Sequence, residues 1–281
     1  MIENINWYPG HMKKTRELIQ ENLKIVDLVI EVIDARIPVS SRNPIIDEIV
    51  GNKRRLIILN KSDLSDGAAN EKWSDYFKAQ GNIVLTMNCM SGAGVSQLFK
   101  LLTKLQNEKN EGQIRKRPLR MMIVGVPNVG KSSLINRMTG KKSAKTGDRP
   151  GVTKGKQWLT LKNNMQLLDT PGILWPKFED PMAGLNLAFC GSIKDEILDI
   201  ASLGLEFIKV LQEEYPDLLL TRYKIEEIAS EPLETMEAIS IKRGFILPGK
   251  RIDYERCGKT VIDEFRSGKI GKITLEKANK V

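Results

Sequence analysis

A glycine-rich run that ends in lysine and serine carries the clearest chemistry in this sequence. Gly125-Val126-Pro127-Asn128-Val129-Gly130-Lys131-Ser132 fits the pattern G-x-x-x-x-G-K-S/T at every fixed position. The glycines let backbone N–H groups turn toward phosphate oxygens, and the N-terminus of a following helix adds partial positive charge. Lys131 would reach the β- and γ-phosphates, and the Ser132 hydroxyl would bind Mg²⁺. The predicted phosphate-binding residues are Asn128, Val129, Gly130, Lys131, Ser132 and Ser133.

The surroundings of this loop favour a phosphate site over the alternative, an ordinary glycine-rich turn. An apolar strand is predicted before it over 121–124, and a helix after it over 131–138. About 40 residues further on, Asp169-Thr170-Pro171-Gly172 ends another apolar strand. Asp169 would hold Mg²⁺ directly or through water, and the backbone N–H of Gly172 would contact the γ-phosphate. Aspartate and glycine are common after strands, so this motif indicates a Mg²⁺ site only in combination with the phosphate loop.

A third polar run indicates which base accompanies the phosphates. Asn60-Lys61-Ser62-Asp63 follows an apolar strand. A carboxylate there accepts two hydrogen bonds from the N1–H and the exocyclic amine of guanine, a donor pair that adenine lacks. The alternative is a solvated turn, since all four residues are common in turns. Asn88 and Cys89 end the next strand and would contact the ribose or the base.

Alternating strands and helices predict an α/β fold in the first part of the chain. Strands are expected over 28–33, 56–59, 83–87, 121–124, 157–161 and 165–168, and helices over 12–23, 69–80, 95–107 and 131–138. Asn163-Asn164 predicts a hairpin turn at the sheet edge, and the charged segment 108–120 predicts a surface linker. After about residue 180 only helices are expected, over 185–188, 195–212, 233–241 and 259–267. We therefore predict one domain over 1–180 and a small all-helical domain over 181–281.

The composition fits a soluble globular protein. Hydrophobic residues make up 41% of the 281 residues and charged residues 28%, which excludes a wholly disordered chain. No uncharged apolar run is long enough to span a membrane, and the N-terminus has no signal pattern. Three widely spaced cysteines, Cys89, Cys190 and Cys257, fit neither a disulfide framework nor a zinc knuckle. A reducing cytoplasm is the expected location.

The formal net charge of +9 is distributed unevenly. Residues 1–179 carry a net charge of +12, residues 180–237 carry −9, and residues 238–281 carry +6. A basic surface gains free energy on a polyanion because phosphate counterions are released, although a basic cluster is often only a solvated face. The basic side chains cluster over 115–120, over 141–156 and over 250–272.

The order of the motifs is unusual. N-K-x-D together with G-x-x-x-x-G-K-S and D-x-P-G resembles the GTPase class of P-loop proteins. In most of them the base motif follows the phosphate motifs, whereas here it precedes them by about 65 residues. The chain therefore resembles a circularly permuted GTPase, whose sheet is preserved because permutation moves the termini without changing strand pairing.

Further motifs narrow this resemblance to the permuted ribosome-assembly GTPases of the YlqF/RbgA type. They are Trp7-Tyr8-Pro9-Gly10-His11-Met12, Asp34-Ala35-Arg36-Ile37-Pro38, Ser41-Arg42-Asn43-Pro44, Gly147-Asp148-Arg149-Pro150-Gly151-Val152-Thr153 and Asp169-Thr170-Pro171-Gly172-Ile173-Leu174-Trp175-Pro176. The similarity covers most of residues 6–180 and continues more loosely to the end. It implies GTP and GDP as ligands, late maturation of the large ribosomal subunit, release coupled to hydrolysis, and an RNA-binding arm over 181–281. It also makes Thr153 the switch threonine, a catalytic and Mg²⁺-binding residue.

Hydrolysis needs a group that orients the attacking water, and Ile173 stands where many GTPases have glutamine. Three alternatives remain open. His11, the only histidine, can orient water near neutral pH, and the family resemblance also points to it; a surface histidine is the plain alternative. Asn128 resembles the asparagine of GTPases that use K⁺, although asparagine also tolerates tight turns. The third alternative is a partner that orders the switch segments 145–156 and 172–181.

The expected partner is a precursor of the large ribosomal subunit, through both its rRNA and its ribosomal proteins. Neither DNA nor a membrane is expected as a partner, and a monomer is expected. Two other classes of protein remain open at this point. One is a regulatory GTPase that acts on a protein effector without RNA, and the other is an RNA-binding scaffold that holds GTP with little catalysis.

Overall fold

The computed structural model describes residues 10–140, 157–170 and 180–278. The chain divides into two compact units. The first comprises Met1–Gly184 and Thr274–Val281, and the second comprises Leu185–Ile273. In the described ranges, every helix is too short or too polar to cross a lipid bilayer.

Six strands of the first unit form one sheet. They are β1 (Leu28–Asp34), β2 (Arg55–Asn60), β3 (Ile83–Thr86), β4 (Arg120–Val124), β5 (Gln157–Thr160) and β6 (Gln166–Asp169). Their order across the sheet is β3-β2-β1-β4-β6-β5, and all neighbours are parallel except β5 and β6. The base motif and the phosphate loop thus follow strands separated only by β1, which confirms the predicted permuted α/β fold.

The apolar character of the strands follows from their position. All seven residues of β1 and the last five of β2 are buried, as expected for parallel strands covered on both faces. The antiparallel pair at the edge is joined through Asn163 and Asn164, whose φ angles are 59° and 57°. Asparagine tolerates this left-handed conformation, so the predicted hairpin turn is confirmed.

Among the described residues, five α-helices lie wholly within the first unit. They are α1 (Gly10–Leu23), α2 (Pro44–Val50), α3 (Gly67–Ala79), α4 (Val95–Asn110) and α5 (Lys131–Thr139). The Asn43 side chain caps α2, and the Asp66 side chain caps α3 by accepting a hydrogen bond from the Ala69 N–H. Only α2 lacks a sequence prediction, because seven residues are too few for a clear helical period. Since α4 extends to Asn110, the predicted linker is shortened to 111–119.

The second unit is helical apart from one short hairpin. Its elements are α6 (Pro181–Phe189, which begins in the first unit), α7 (Ile200–Glu214), α8 (Pro216–Tyr223), α9 (Pro232–Arg243), β7 (Ile246–Leu247), β8 (Arg251–Ile252) and α10 (Tyr254–Arg266). The Phe207 ring lies 4.9 Å from that of Phe189 and 4.5 Å from that of Phe265. A Cβ atom on Gly204 would lie 2.2 Å from the Cα atom of Gly258, so α7 and α10 cross at a glycine contact.

The second unit differs from the sequence prediction at three places. The hairpin β7–β8 stands where only helices were expected, and its two-residue strands are too short to give an alternating pattern. The single helix expected over 195–212 is split into a 3₁₀ turn, Asp195–Ile197, and α7. Asp199 separates them because its carboxylate accepts hydrogen bonds from the N–H groups of Ala201 and Ser202 and so starts a new helix. Helix α8 was not expected, and Pro216 occupies its first turn.

The limits of the two units differ from the predicted domains at both ends of the second one. Residues 181–184 and 274–281 group with the first unit, although the sequence placed them in the helical domain. The later segment returns because it hydrogen-bonds to first-unit residues. For example, the Leu275 N–H donates to the Arg36 carbonyl at 2.8 Å, and the Trp73 indole N–H donates to the Glu276 carbonyl at 3.0 Å. We call residues 274–278 the strap.

Candidate nucleotide-binding site

One edge of the sheet collects the three sequence motifs. Asn60 is the last residue of β2, the phosphate loop follows β4, and Asp169 is the last residue of β6. These strands are parallel to β1 or to each other, so their carboxyl ends share an edge, which is where open α/β sheets bind ligands. The fold therefore brings together residues that are up to 109 positions apart in the sequence.

The phosphate loop depends on glycine at its two ends. Gly125 has a φ angle of 146°, and a Cβ atom there would lie 2.4 Å from the carbonyl oxygen of Val32. Gly130 has a φ angle of 103° and caps the N-terminus of α5. Asn128 has a φ angle of 60°, a conformation that asparagine tolerates better than most residues. The loop is thus a tight strand-to-helix turn of the kind that cradles phosphate.

Lys131 starts α5 and is buried. Its ammonium group donates hydrogen bonds to the carbonyl oxygens of Gly125 at 3.0 Å and Val126 at 2.7 Å. Burial lowers the pKa of Lys131 to about 8, although the nearby charge of Asp169 acts in the opposite direction. Ser132 and Ser133, both half-buried, follow in the first turn of α5.

Because of this lowered pKa, we expect nucleotide affinity to fall as the pH rises from about 7 to about 9. Bound phosphate favours the protonated amine and raises the pKa of Lys131, so binding takes up a proton above about pH 8. Fluorescence titration of GDP at each pH measures this effect. The matched variant Lys131→Arg keeps its charge throughout this range and should bind with a flatter pH profile. Parallel pH profiles for the two proteins would contradict the assignment of Lys131 as the group that takes up the proton.

The residues predicted to hold Mg²⁺ have suitable chemistry. Asp169 is buried at the end of β6, and it lies close enough to Lys131 to influence the pKa of that lysine. Ser132 follows Lys131 directly, and hydroxyl and carboxylate oxygens are the ligands that Mg²⁺ prefers. Thr170, next in the chain, is buried and donates a hydrogen bond to the Ile123 carbonyl at 2.5 Å, which fixes the end of β6 against β4.

Asn60 joins the base motif to two loops. Its side-chain amide donates to the Val129 carbonyl at 2.7 Å, and its side-chain oxygen accepts from the Cys89 N–H at 2.9 Å. A Cβ atom on Gly130 would lie 2.1 Å from the same amide nitrogen, so the phosphate loop contacts Asn60 directly. A single buried side chain therefore sets the spacing between phosphate loop, base motif and the loop after β3.

The rest of the base motif is more open. Lys61 has a φ angle of 61°, and its ammonium group forms an ion pair with the buried carboxylate of Asp34 at 2.8 Å. The Ser62 N–H donates to the Met87 carbonyl at 3.2 Å. Asp63 is exposed, so its carboxylate is accessible to a base.

The loop that was predicted to contact the ribose or the base is shaped by the Asn88 side chain and by Arg137. Asn88 accepts hydrogen bonds from the N–H groups of Met90 and Ser91. The Arg137 guanidinium donates to the Cys89 carbonyl at 3.2 Å and also to the Met90 carbonyl. Burial raises the pKa of the Cys89 thiol to about 12, so this cysteine is a structural residue and no thiolate nucleophile.

Sequence reasoning missed Arg137. No local signal identifies it, because its partners lie 47 and 48 positions away in the sequence. Several predictions fall where the structure gives no side chain. Thr153, Gly172, all of the switch segment 145–156 and most of the segment 172–181 lie outside the described residues, as does the basic cluster 141–156. Of His11 only the backbone, in α1, is described.

Known proteins resemble this chain along almost its whole length. A family model described as 50S ribosome-binding GTPase matches residues 120–236. A Bacillus cereus protein named Ribosome biogenesis GTPase A is 46% identical over 276 residues, which cover 97% of this chain and 93% of that protein. The chain belongs to the Ribosome biogenesis GTPase A family.

Other relatives agree with this assignment. A member of the family from Priestia megaterium is 46% identical over 97% of this chain and 96% of its own length. The crystal structure of GNP-bound YlqF from T. maritima is 30% identical, with a TM-score of 0.67 over 94% of this chain and 98% of that one. The resemblance drawn from the motifs is confirmed, and this family member is a GTPase with a P-loop fold.

Proposed function

We propose that this GTPase is an assembly factor for the large ribosomal subunit. It binds rRNA and ribosomal proteins of a late precursor, hydrolyses GTP there, and is released afterwards. The observation that carries the proposal is the convergence of phosphate loop, base motif and Asp169 at one sheet edge in a chain of this family. The names of its relatives support the ribosomal role, and we propose that it acts in the cytoplasm as a monomer.

A basic surface on the second unit supports contact with RNA. The end of α9, the hairpin β7–β8 and the start of α10 lie together, because the Asp253 N–H donates to the Phe245 carbonyl and the Arg256 guanidinium lies 4.8 Å from the centre of the Phe245 ring. Six exposed basic side chains belong to these elements, and phosphate backbones attract such surfaces. We name this group the hairpin surface: Lys242, Arg243, Lys250, Arg251, Arg256 and Lys259.

The nucleotide contacts follow from the site. Asp63 reads the guanine edge, Asn60, Lys61, Ser62, Asn88 and Cys89 shape the base and ribose pocket, and the loop from Asn128 to Ser133 holds the phosphates. Ser132, Thr153 and Asp169 would hold Mg²⁺, which would neutralise phosphate charge, and the Gly172 N–H would contact the γ-phosphate.

For the attacking water we propose His11, assisted by particle binding that orders the switch segments. His11 lies in α1, and histidine can orient water near neutral pH. Lys131 would stabilise charge on the phosphates. K⁺ bound near Asn128 is a further proposal, supported by the position of that residue in the tight phosphate loop.

Sedimentation with purified large-subunit precursors tests this function. We expect the protein to sediment with the precursor in the presence of a non-hydrolysable GTP analogue and much less in GDP. The precursor should also raise GTP turnover by at least about tenfold. A regulatory GTPase that acts on a protein effector would stay in the supernatant in every nucleotide state. This outcome would overturn the proposal.

Variants in the same experiment separate its parts. Lys250→Glu combined with Arg251→Glu should weaken binding and lower the slope of affinity against salt by about 2, whereas Lys209→Glu, an exposed control on α7, should not. His11→Ala should bind the particle but lose the stimulated turnover. Normal stimulated turnover in His11→Ala would show that His11 has no part in catalysis. Equal GTP turnover of the unaltered protein in KCl and NaCl would exclude a role for K⁺.

A further inference from the structure

The strap is held to the rest of the first unit by hydrogen bonds from two regions, the loop that follows β1 and helix α3 with its N-terminal cap. The Thr274 hydroxyl oxygen accepts from the Asp66 N–H at 3.0 Å, at the start of α3. The Glu276 carboxylate accepts from the N–H groups of Val39 at 2.5 Å and Ser40 at 2.9 Å, and from the Ser40 hydroxyl. With the indole contact of Trp73 and the Arg36 contact described above, these bonds fix the strap across the loop that follows β1.

A buried ionic cluster lies directly beneath this loop. The Arg36 guanidinium donates two hydrogen bonds to the Asp34 carboxylate, at 2.9 Å and 2.8 Å, and both side chains are 1% exposed. The same carboxylate pairs with Lys61 at 2.8 Å. Burial alone would raise the pKa of Asp34, but the charges of Arg36 and Lys61 outweigh it and hold the pKa below its ordinary value. Asp34 is therefore a fixed anion between the loop and the base motif.

Arg36 connects the strap to this cluster. Its carbonyl oxygen accepts from the strap at Leu275, while its own N–H and its guanidinium both donate to Asp34. A continuous path of short contacts thus runs from the strap through Arg36 and Asp34 to Lys61. A second path runs from the strap to the base motif through Asp66. Its N–H donates to Thr274, and Asp66 follows Asp63 of the base motif by three residues.

We propose that the strap positions the guanine-binding motif, acting through Arg36 and Asp34 on Lys61. When the strap is in place, the lysine is held at one side of the base pocket, and nucleotide affinity is high. When the strap is displaced, the loop after β1 and the ionic cluster loosen, and guanine nucleotides leave faster. The inference rests only on nucleotide binding by the base motif and is independent of the ribosomal role.

In this arrangement, the position of the strap controls the rate of nucleotide exchange. Thr274 follows Ile273, the last residue of the second unit, so the strap is the segment through which that unit rejoins the first. A partner that binds and draws the strap away from Arg36 would promote release of GDP without touching the nucleotide.

Dissociation of a fluorescent GDP analogue from the full-length protein tests the proposal. Glu276→Ala removes the carboxylate that holds Val39 and Ser40, and we expect it to raise the dissociation rate about fivefold, a typical coupling between sites. Glu71→Ala, an exposed carboxylate on α3, is the matched control and should leave the rate unchanged. Asp34→Asn should act in the same direction more strongly, and the milder strap variant serves if that protein fails to fold.

A double-mutant cycle with Lys61→Met shows whether the strap acts through the lysine. We expect the effect of Glu276→Ala to shrink to less than about twofold in the Lys61→Met background. Full additivity of the two substitutions would overturn the proposal, as would an unchanged dissociation rate in Glu276→Ala. A faster rate in Glu276→Ala that disappears in the Lys61→Met background would support positioning, because a general loss of stability would raise the rate in both backgrounds.

Discussion

Gly130→Ala should lower GDP affinity by about a hundredfold or more. An alanine at a φ angle of 103° costs about 1–3 kcal/mol, and its methyl group would lie 2.1 Å from the Asn60 amide nitrogen. Relief requires Asn60 to give up the Val129 carbonyl, and a buried group left unsatisfied costs about 1–3 kcal/mol. The phosphate loop and the base motif would then no longer share one geometry. Calorimetric titration with GDP measures the loss.

Gly67→Ala is the matched control for this prediction. Gly67 begins α3, and no atom lies within 4 Å of the position where its Cβ would be, so this variant should bind GDP normally. Comparison of the unfolding temperatures without nucleotide separates a local change from loss of the fold. If Gly130→Ala bound GDP as tightly as Gly67→Ala, Asn60 would not couple the two motifs.

Asp63→Ala should abolish discrimination between guanine and hypoxanthine. The carboxylate is exposed, so its removal leaves the folded structure largely intact, but the guanine N1–H and exocyclic amine lose a charged acceptor. Two such hydrogen bonds contribute about 3 kcal/mol or more, and we expect GDP affinity to fall by about a hundredfold. IDP lacks the exocyclic amine and should lose less, so the two affinities become nearly equal.

Competition titrations with GDP and IDP measure both affinities in one assay. Glu71→Ala again provides an exposed carboxylate on a neighbouring helix, and its preference for GDP should remain. A variant Asp63→Ala that still preferred GDP to the original extent would assign guanine recognition to another group.

The sequence predicted that the motifs meet at one edge of the sheet, because the motifs themselves specify local geometry. Gly125, Gly130 and Lys131 demand a particular strand-to-helix turn, and the apolar runs before the motifs indicate buried strands. Once these strands are parallel, their carboxyl ends must meet, so the proximity of Asn60 and Asp169 follows.

The contacts between motifs could not be predicted in this way. Asn60 bridges to residues 29 and 69 positions away, and the strap binds residues more than 200 positions away. No periodicity or spacing encodes such pairs, because they depend on how loops of different elements settle against one another. Residues 274–277 of the strap also lack helical or strand structure, which is why sequence patterns assigned the strap to the preceding helical domain.

The strap has a consequence for the order in which the chain folds during synthesis. Residues 185–273 leave the ribosome as one uninterrupted stretch and hold a complete core of their own around Phe207. The first unit is made of two separate stretches. Trp73 and the loop after β1 therefore meet their hydrogen-bonding partners in the strap only after about 200 further residues have been translated. The nucleotide-binding unit therefore receives its last segment only after the whole helical unit has been translated, although most of it is translated first.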